Sequence, residues 1–548
     1  IGDYLPSKMP LITSKGVRQT PWAEGQNVRH LEPMGFIKFD ILGLETLKTF
    51  EDTIERILIS EGSRSPTFED VKAWYYKNLH PSVLDMDDQE VYKGVFHKAN
   101  YAGIFQFMNS GMQRLGTNAR VSSIEEIATV SAIYRPGPLS AGVDKMYVKA
   151  KEGIETPEYA HPLIKEVLGK TFGLIVFQED IMNLVNVLGD KITMTDANEL
   201  RKLLTKKGLS ETKMRKKKDL YERFVKGCEK KGMSFVQAKS LWEKMEYFSG
   251  YGFSKNHAIP YSIISYQCAW LQTYYQDQWV SSFLDHEPEK RKEAAINIVR
   301  TFGYKVDSLD INTSNKRWEI IDNKLVPPLT TIKGLGDAAI DEIMHKRPFL
   351  SVEDLLFDKG VVARKVNKKS LDAMCRAGAM ESLMDERFFG SKHFWSAVVV
   401  DKPKNKKKLG ENIKKYKKEG NFTKGEQINH LQALTGIYPI NMVVPVKAYK
   451  FFEMQGIMPL SEYDRELGKG WCIPTEINLK KTKTGKPYYQ VTVIDSSMET
   501  QRINCWGVDP KRDFIYPHKL YVLEWPQYNE TWGFSTRGGL SRNWKLLG

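Results

Sequence analysis

The sequence predicts a multidomain α+β protein in which a large helical module separates two regions of β-strand. Residues 35–41 alternate apolar and charged side chains, which is the period of a strand. From about residue 66 to 290 the apolar residues recur at helical spacing, and the loops between them are rich in glycine and proline. From Gly470 onward the alternation returns, and a turn at Thr484-Gly485 predicts a hairpin within a small β-barrel.

The composition is typical of a protein that has several domains and binds an acidic polymer. A chain of 548 residues with 41% apolar content can bury several cores, and typical domain sizes give roughly four domains. Lysine and arginine number 81 against 67 acidic residues, for a net charge of +14. A basic excess of this size makes an acidic polymer the first partner to consider.

Cysteine usage and hydropathy indicate the redox environment of the protein and its solubility. The five cysteines stand far apart, without the spacing of a zinc site or the density of a disulfide scaffold, so we expect a reducing, cytoplasmic environment. No apolar run approaches the length that spans a bilayer and no signal peptide opens the chain, so we expect a soluble protein without a membrane partner. Because the chain opens with Ile1 instead of Met, we expect a processed, split or cut piece.

The first predicted strand carries a candidate metal ligand. Alternation places Lys38 and Asp40 on the face opposite Ile37, and the apolar spacing from Leu47 to Leu58 predicts a helix that packs back on this strand. A carboxylate beside a lysine can hold a divalent metal and meet a phosphate. An aspartate at a strand end is more commonly a turn or cap residue, so the residues alone leave both interpretations open.

Basic residues in rigid loops are candidates for binding phosphate. Arg135 lies in a loop stiffened by Pro136 and Pro138, and Lys255 and His257 follow a glycine in a second loop. Arginine suits bidentate contact with a phosphate, and lysine acts as a point charge. Taken alone, His257 is better explained as a hydrogen-bonded core histidine.

The segment IKGLGDAA, residues 332–339, fits the hairpin of a helix-hairpin-helix motif. Lys333 supplies charge, and the glycines Gly334 and Gly336 let backbone N–H groups and a helix N-terminus approach a phosphate closely. Such a hairpin contacts DNA without reading its sequence. A Gly-x-Gly hairpin that simply joins two helices remains the alternative.

Two further regions are rich in lysine. The stretch 402–418 is lysine-dense and indicates a linker or a mobile surface. The predicted barrel combines basic residues with an aromatic ring, the groups with which small barrels hold single strands: Lys480, Lys481, Lys483, Lys486 and Tyr488. Strand alternation places about half of the aromatic residues in the core, so the pattern assigns no individual stacking residue.

Five segments, in order along the chain, resemble signatures of the C-family replicative DNA polymerases, the family of the bacterial DNA polymerase III alpha subunit. GFIKFDILGLETL (35–47) resembles the palm, and GIFQFMNSGM (103–112) and YRPGPL (134–139) resemble the fingers. FGLIVFQEDIM (172–182) and YGFSKNHAIPYSIISYQCAWL (251–271) follow in the expected sequence. Each segment alone is explained equally well as a helix with its loop, whereas coincidence explains their shared order poorly.

The resemblance implies a domain order. The expected domains are the C-terminal part of a palm (1–60), mainly helical fingers (61–320), a helix-hairpin-helix region (321–400), a basic linker or helical segment (401–460) and an OB-fold β-barrel (461–548). An N-terminal PHP domain, a thumb and the first half of the palm would precede them in the family.

The resemblance also implies residue roles. Asp40 takes the place of the third metal-binding carboxylate of a two-metal Mg²⁺ site, with Lys38 beside it as a catalytic residue. The implied nucleotide-binding residues are Arg135, Arg201, Lys202, Lys206, Lys207, Lys255 and His257. The implied DNA-binding residues are Lys333, Gly334, Gly336, Lys480, Lys483, Lys486 and Tyr488. Residues 199–208 depart from the family's RRAMGKK pattern, which leaves a solvated lysine-rich helix as the alternative there.

Catalysis in this family needs more carboxylates than Asp40. Two-metal phosphoryl transfer uses several, and the family carries the other two in a PDxDxDF-type motif upstream, which the 39 residues before Asp40 lack. Asp85 and Asp87 follow Asp40 and precede a helical pattern in which Asp87 or Asp88 would serve as the N-cap, so we expect caps and no metal ligands here. We therefore expect the Mg²⁺ site to be shared with an N-terminal polymerase portion outside this chain.

Two functions stay open. The first is template-directed DNA synthesis, the transfer of a nucleotidyl group from a dNTP to a primer 3′-hydroxyl, which Asp40, Lys38 and the intact YRPGPL loop favour. The alternative is a non-catalytic DNA-binding or scaffold subunit of a replisome. An NAD-type DNA ligase is excluded because no KxDG motif or four-cysteine zinc cluster occurs.

The expected partners follow from the first function. They are primer-template DNA, single-stranded DNA, dNTPs and the N-terminal polymerase portion, in the cytoplasm of a bacterium or of the bacterial host of a phage. The family also implies a sliding clamp and a clamp loader, although no QxxLF-like peptide stands before the predicted barrel.

Overall fold

The computed structural model describes residues 7, 10–14, 16–19, 43–205, 210–498, 500–529 and 533–547. The chain divides into two compact units, residues 1–48 and 49–548. In the first unit, β1 (Ile12–Ser14) and β2 (Val17–Gln19) form an antiparallel hairpin. The strand predicted at 35–41, with Lys38 and Asp40, lies outside the described residues.

Helices dominate residues 45–300, as the apolar spacing predicts. Their bounds are α1 Glu45–Ser60, α2 Phe68–Asn78, α3 Gln89–Val91, α4 Ser110–Ala119, α5 Ile124–Ile133, α6 Pro136–Ser140, α7 Val143–Lys151, α8 Pro162–Leu168, α9 Gln178–Leu188, α10 Met194–Thr205, α11 Glu211–Lys230, α12 Phe235–Ser249, α13 Lys255–Tyr274, α14 Gln276–His286 and α15 Glu289–Arg300. The first π-helical turn, Tyr92–Phe96, continues α3.

Shorter helices and most of the strands follow. The helices are α16 Asp337–Lys346, α17 Lys368–Arg376, α18 Ser391–Trp395, α19 Lys406–Lys415, α20 Lys424–Thr435, α21 Ile440–Val443, α22 Val446–Gln455 and α23 Leu540–Asn543. The strands are β3 Lys305–Val306, β4 Glu319–Ile321, β5 Lys324–Val326, β6 Met458–Pro459, β7 Lys469–Lys481, β8 Pro487–Ile494, β9 Gln501–Trp506, β10 Leu520–Glu524, β11 Gln527–Asn529, β12 Gly533–Arg537 and β13 Trp544–Leu547. Two more π-helical turns lie at Asp354–Asp358 and Ser396–Val400, and 3₁₀ turns lie at Gly169–Thr171, Leu329–Thr331, Glu381–Leu383 and Leu460–Glu462.

The buried face of α1 forms part of the first hydrophobic core. Phe50, Ile54 and Ile57 recur at helical spacing and are buried. The ring of Phe50 lies 6.0 Å from that of Trp279 in α14, and the Trp279 indole N–H donates to the carbonyl of Ala102 at 2.8 Å. The helix predicted from this spacing is confirmed, although the strand on which we expected it to pack lies outside the described residues.

A largely buried ion cluster ties α1 to α14 and to the segment before β4. Arg56 donates to the carbonyl of Trp318 at 3.0 Å and to the carboxylate of Asp285. The same carboxylate accepts from the Trp318 N–H at 2.9 Å and from Arg317 Nε at 3.1 Å. Burial raises the pKa of Asp285 and lowers the pKa of Arg56, because both charges leave water. Three segments distant in sequence are thus held at one point.

Two further cores underlie the middle of the chain. The second lies between α8 and α12 around Leu184, Phe224 and Trp242. The third joins the predicted hairpin, through Leu335, to α17 and to the lysine-dense segment. Where we expected a linker or a mobile surface, that segment forms α19, whose Leu409 is fully buried.

The C-terminal strands form one curled sheet in the order β11-β12-β9-β8-β7-β10-β13, with β6 paired to β7. The 13-residue β7 pairs with β10 at its start and with β8 after a bulge between Pro474 and Glu476, so the sheet bends there. One face buries Val491 and Ile503, while α20–α22 cover part of the other, around Trp471. In the described pairings β11 and β13 remain edges, so the sheet is a half-barrel and the closed OB-fold barrel is not confirmed.

The cysteines and the helix lengths agree with the sequence. All five cysteines lie in the described residues, where each is buried and free. None of the helices in the described ranges combines the length and the apolar character needed to cross a bilayer.

Asp180 fixes the start of α9. Its carboxylate accepts from the backbone N–H of Val176 at 3.0 Å and from that of Phe177 at 2.7 Å. These bonds satisfy donors just before the helix and set the angle at which the chain enters it. Burial raises the pKa of Asp180 to about 6, while the two backbone bonds oppose the rise.

We expect Asp180→Asn to change how stability depends on pH. A carboxyl whose pKa is raised in the folded state binds protons more tightly there, so its contribution to stability falls as pH rises from about 4 to about 6. A neutral amide keeps an oxygen acceptor and lacks this dependence. Between pH 4 and pH 6 the free energy of unfolding of the variant should therefore rise by about 3 kcal/mol relative to that of wild type. The measurement is the difference between their thermal unfolding midpoints at each pH. Midpoint curves that stay parallel from pH 4 to 7 would contradict the assignment.

Candidate functional site

Two segments 75 residues apart in sequence lie side by side at the start of α9. The N–H of Gln178 donates to the carbonyl of Phe253 at 2.9 Å, and the N–H of Phe253 donates to the carbonyl of Val176 at 3.3 Å. Phe177 and Phe253 thus form an isolated parallel β-bridge. It joins the FQEDIM segment to the YGFSKNH segment, two of the motifs singled out in the sequence.

Glu179 anchors the N-terminus of α13. Its carboxylate accepts from the backbone N–H of Lys255 at 2.8 Å and from that of Asn256 at 3.5 Å, and from the Ser254 hydroxyl at 3.1 Å. A carboxylate at this position satisfies donors that a helix leaves unpaired and complements its dipole. The first turn of α13, which carries Lys255 and His257, is thereby fixed relative to α9.

Gln178 links the same place to α10. Its side-chain oxygen accepts from Arg201 Nη1 at 2.6 Å, and its amide nitrogen donates to the carbonyl of Gly252 at 3.0 Å. Arg201 Nε also donates to Asn198 at 3.1 Å. The guanidinium of Arg201 is therefore held from two sides, and Lys202 follows it on an exposed position of the same helix.

Arg135 reaches this site from the N-cap of α6, the short helix that stands where the sequence predicted a loop stiffened by two prolines. Its guanidinium carbon lies 3.8 Å from the centre of the Phe253 ring, a cation–π contact made by an exposed side chain. Helix α6 packs closely against Tyr251, since a Cβ added at Gly137 would lie 1.9 Å from that ring. Only glycine permits this approach, and Pro138 beside it is buried.

His257 is an exposed ring of the site. It stacks at an angle on Tyr261, with ring centres 4.3 Å apart, and meets the Phe253 ring edge-on at 5.3 Å. The alternative of a buried core histidine does not hold, because the side chain is exposed. Lys255 places its ammonium 5.7 Å from the Phe177 ring centre.

The fold therefore brings four of the predicted nucleotide-binding residues together, namely Arg135, Arg201, Lys255 and His257. Each contacts Phe177, Phe253 or Gln178, or belongs to the helix that Glu179 anchors. Lys206 and Lys207 lie outside the described residues. The sequence did not single out Gln178 and Glu179, which organise the site. No local sequence pattern indicates their role, because the residues they bind are 20 to 80 positions away in the chain.

The glycine hairpin has the form predicted for residues 332–339. Gly334 has φ +95°, a conformation that favours glycine, and Gly336 caps α16 with φ −83°. A Cβ at Gly336 would meet open space. Lys333 pairs with Glu289 at 2.7 Å, and the acidic Asp337 occupies the first turn of α16. The hairpin thus offers open backbone, with less free charge than the sequence predicts.

Two of the predicted barrel residues, Lys480 and Tyr488, lie on the face of the curled sheet opposite Val491 and Ile503. Strand register places Lys480, Tyr488, Trp506 and Arg537 in one row across β7, β8, β9 and β12. The rings of Tyr488 and Trp506 stack with centres 4.4 Å apart, and both are half-buried. Lys480 donates to Gln490 at 2.7 Å. Lys483 and Lys486 are exposed at the turn between β7 and β8. Trp506 and Arg537 were missed because only register shows that they flank Tyr488.

The described residues hold no group of three or more histidine, cysteine, aspartate or glutamate side chains that could bind a metal ion. Asp88 caps α3 by accepting from the N–H of Glu90 at 3.0 Å, and Asp85 accepts from the N–H of Asp87 at the same distance. Of the two residues expected to cap this helix, Asp87 and Asp88, the structure shows Asp88 as the N-cap, whereas Asp85 stabilises the turn before it.

Comparison with known proteins agrees with this layout. The finger domain of the bacterial DNA polymerase III alpha subunit matches residues 65–232, and a helix-hairpin-helix motif matches residues 303–388. Among similar proteins, the DNA polymerase III alpha subunit of Helicobacter pylori is 32% identical over 371 residues, 65% of this chain and 29% of the relative. That of Borreliella burgdorferi is 32% identical over 392 residues, 70% of this chain and 32% of the relative.

The DNA polymerase III alpha subunit of Campylobacter jejuni is 30% identical over 361 residues, 64% of this chain. The chain spans 28% of that relative and hence, in each of the three, about three tenths of the length. The chain therefore carries a finger domain of the bacterial DNA polymerase III alpha subunit type and a helix-hairpin-helix motif, and it is similar to these alpha subunits over about two thirds of its own length.

Proposed function

We propose that this chain takes part in template-directed DNA synthesis as the nucleotide-binding and DNA-holding portion of a C-family replicative DNA polymerase. The observation that carries the proposal is the convergence of the side chains of Arg135, Arg201 and Lys255 on Phe253, Gln178 and Phe177, at the contact between α9 and α13. Three cationic side chains from three separate segments, placed around one exposed surface, suit a triphosphate. The similarity to the alpha subunit supports the same function.

The side chains divide the work of binding a dNTP. The guanidinium groups of Arg135 and Arg201 suit contact with phosphate oxygens, and Lys255 adds a point charge. His257 stands next to Lys255 on the first turn of α13, where its exposed ring can donate to a phosphate. Gln178 and Glu179 hold these groups in place before the nucleotide arrives, so less freedom is lost on binding.

The proposal includes Mg²⁺, which supplies charge neutralisation for phosphoryl transfer when it is bound. Asp40 is its proposed ligand in this chain, with Lys38 beside it, and both lie outside the described residues. The described residues alone do not form a magnesium site. We therefore assign them triphosphate and DNA binding, and place the remaining ligands in an N-terminal polymerase portion.

The remaining modules would hold the DNA. The hairpin at Gly334 and Gly336 would contact the duplex backbone, and the curled sheet, as an OB-type module, would hold single strands at Tyr488. A sliding clamp and a clamp loader complete the proposed partners, in the cytoplasm of a bacterium or of a phage host.

We expect Arg201→Ala and Lys255→Ala each to weaken dNTP binding by about 10- to 100-fold, the loss of a charge-assisted hydrogen bond. The measurement is titration of a fluorescent dNTP into the full chain with primer-template present. Arg64→Ala is the matched control, because Arg64 is exposed and far from the site in sequence. Equal affinity in all four proteins, or no dNTP binding by wild type, would favour a non-catalytic scaffold instead.

Gly336→Val should weaken duplex binding by about tenfold, since a side chain would then separate the backbone of α16 from a phosphate. The fold should survive, because the added atoms enter open space at a φ that any residue adopts. Gly425→Val is the matched control, also in open space near a helix N-terminus. Fluorescence anisotropy with a blunt duplex gives the affinities. If the two variants bind alike, Gly336 serves only to form the turn.

Trp506→Ala should weaken single-stranded DNA binding by about 1–3 kcal/mol, the usual contribution of one stacked base. The expected loss for duplex is smaller, because its bases are already stacked on one another. Tyr528→Ala, which removes an exposed ring from β11 in the same sheet, is the control. Equal losses for single-stranded and duplex DNA would show that Trp506 stabilises the β-sheet and does not stack on a base of single-stranded DNA.

A further inference from the structure

The segment 401–420 carries nine lysines and three acidic residues. Three of the lysines, at 406, 408 and 415, form ion pairs with Asp358, Asp401 or Glu411. Within the described residues, no acidic group lies within ion-pair distance of the other six. Five of those six are exposed and are called here the lysine surface: Lys404, Lys407, Lys414, Lys417 and Lys418.

Buried polar residues hold this segment rigid. His393, which is fully buried, accepts the N–H of Phe389 at Nδ1 (3.0 Å), while its Nε2 lies 2.8 Å from the carbonyl of Ile413. Asn412, also fully buried, donates to the carbonyls of Ala397 and Asp401. A solvated linker has no need of such anchors, because water satisfies its backbone. The lysine surface is therefore a fixed array of charges.

The same core supports the glycine hairpin. Leu409 of α19 and Val398 before it share a hydrophobic cluster with Leu335 in the hairpin and with Ile340 in α16. Between these elements lies the start of α17. There Lys368 donates to the carbonyl of Val400 at 3.0 Å.

The neighbouring lysine completes the connection. Lys369 Cε lies 3.3 Å from where a Cβ of Gly334 would stand. Two successive residues of α17 thus touch the hairpin on one side and the start of the lysine-dense segment on the other. The hairpin and the lysine surface belong to one continuous, basic part of the molecule.

Two aromatic rings lie beside these lysines, the exposed ring of Phe389 and the half-buried ring of Tyr416, and each has a lysine ammonium near its face. Lys417 lies 5.5 Å from the ring centre of Phe389, and Lys415 lies 4.8 Å from that of Tyr416. A single strand is held by stacking bases on open rings, whereas a duplex offers only its phosphates to a surface of this kind. The lysine surface sets five exposed charges beside a single exposed ring, so charge dominates it and matches a duplex better than a single strand.

We propose that the lysine surface binds the phosphate backbone of duplex DNA, continuing the contact made by the glycine hairpin. The inference rests on the proposed function for the identity of the polyanion. The ten residues of α19 extend over about 15 Å, which matches roughly four phosphates of one strand. Lysines bind phosphates as point charges without reading bases, so the contact is independent of sequence.

The test removes four charges from the lysine surface of the full chain: Lys404→Gln, Lys407→Gln, Lys414→Gln and Lys418→Gln. Anisotropy with a blunt 30-base-pair duplex is measured at several salt concentrations. The slope of log affinity against log salt should fall in magnitude by about 3, and affinity at physiological salt by at least tenfold, because fewer counterions are released. A slope that equals wild type would overturn the proposal.

A charge-matched control separates local contact from net charge. It carries Lys77→Gln, Lys145→Gln, Lys165→Gln and Lys244→Gln, four exposed lysines of the helical module that form no ion pair within the described residues. Its slope should change by less than 1. The proposal would be overturned if the control changed the slope as much as the lysine variant does. It would also be overturned if the lysine variant lost as much affinity for single-stranded DNA as for duplex, or if polyglutamate displaced the wild-type chain from duplex as well as unlabelled duplex does.

The failure of this inference differs from that of the proposed function. If wild type does not bind duplex at all, the proposed function fails. If wild type binds and Gly336→Val weakens it while the lysine variant binds normally, only the lysine surface is misassigned.

Discussion

The hydrogen bonds that Gln178 and Glu179 make to residues 252–256 and to Arg201 are the constraint on which the candidate nucleotide site depends. They connect the starts of α9 and α13 and bring α10 beside them. Both helices continue into buried cores, so the contact is supported from behind on each side. Without it the cationic residues would lie on separate helices with nothing to fix their spacing.

Charged groups serve two distinct purposes in this chain. Arg56 and Arg317 both pair with Asp285 and with Asp52 in a largely buried cluster that joins α1 to α14, so two carboxylates balance two guanidinium groups. Arg135, by contrast, is exposed and rests on an aromatic ring. The ring holds the guanidinium without neutralising it, so its charge remains available to an anion. Pairing, and not the number of basic residues, separates structure from recognition here.

The lysine-dense segment illustrates the same principle at a larger scale. Its composition is that of a solvated linker, yet Leu409, Asn412 and the buried ring of His393 fix it to the hairpin core. Three of its lysines are neutralised locally, and five exposed ones are not. A rigid, unneutralised array next to a glycine hairpin gives the middle of the chain one extended surface for a polyanion.

The sequence by itself determined the helical module, the β-rich C-terminus and the glycine hairpin, because local periodicity and short motifs carry that information. The resemblance to the polymerase family implied the nucleotide-binding role of Arg135, Arg201, Lys255 and His257, which stays a prediction. The sequence did not identify Gln178, Glu179, Trp506 or Arg537. Their roles arise from partners on other elements, which only long-range hydrogen bonds and strand register bring near. The half-barrel and the packed α19 were likewise decided by tertiary structure, since edge pairing and a few buried anchors override composition.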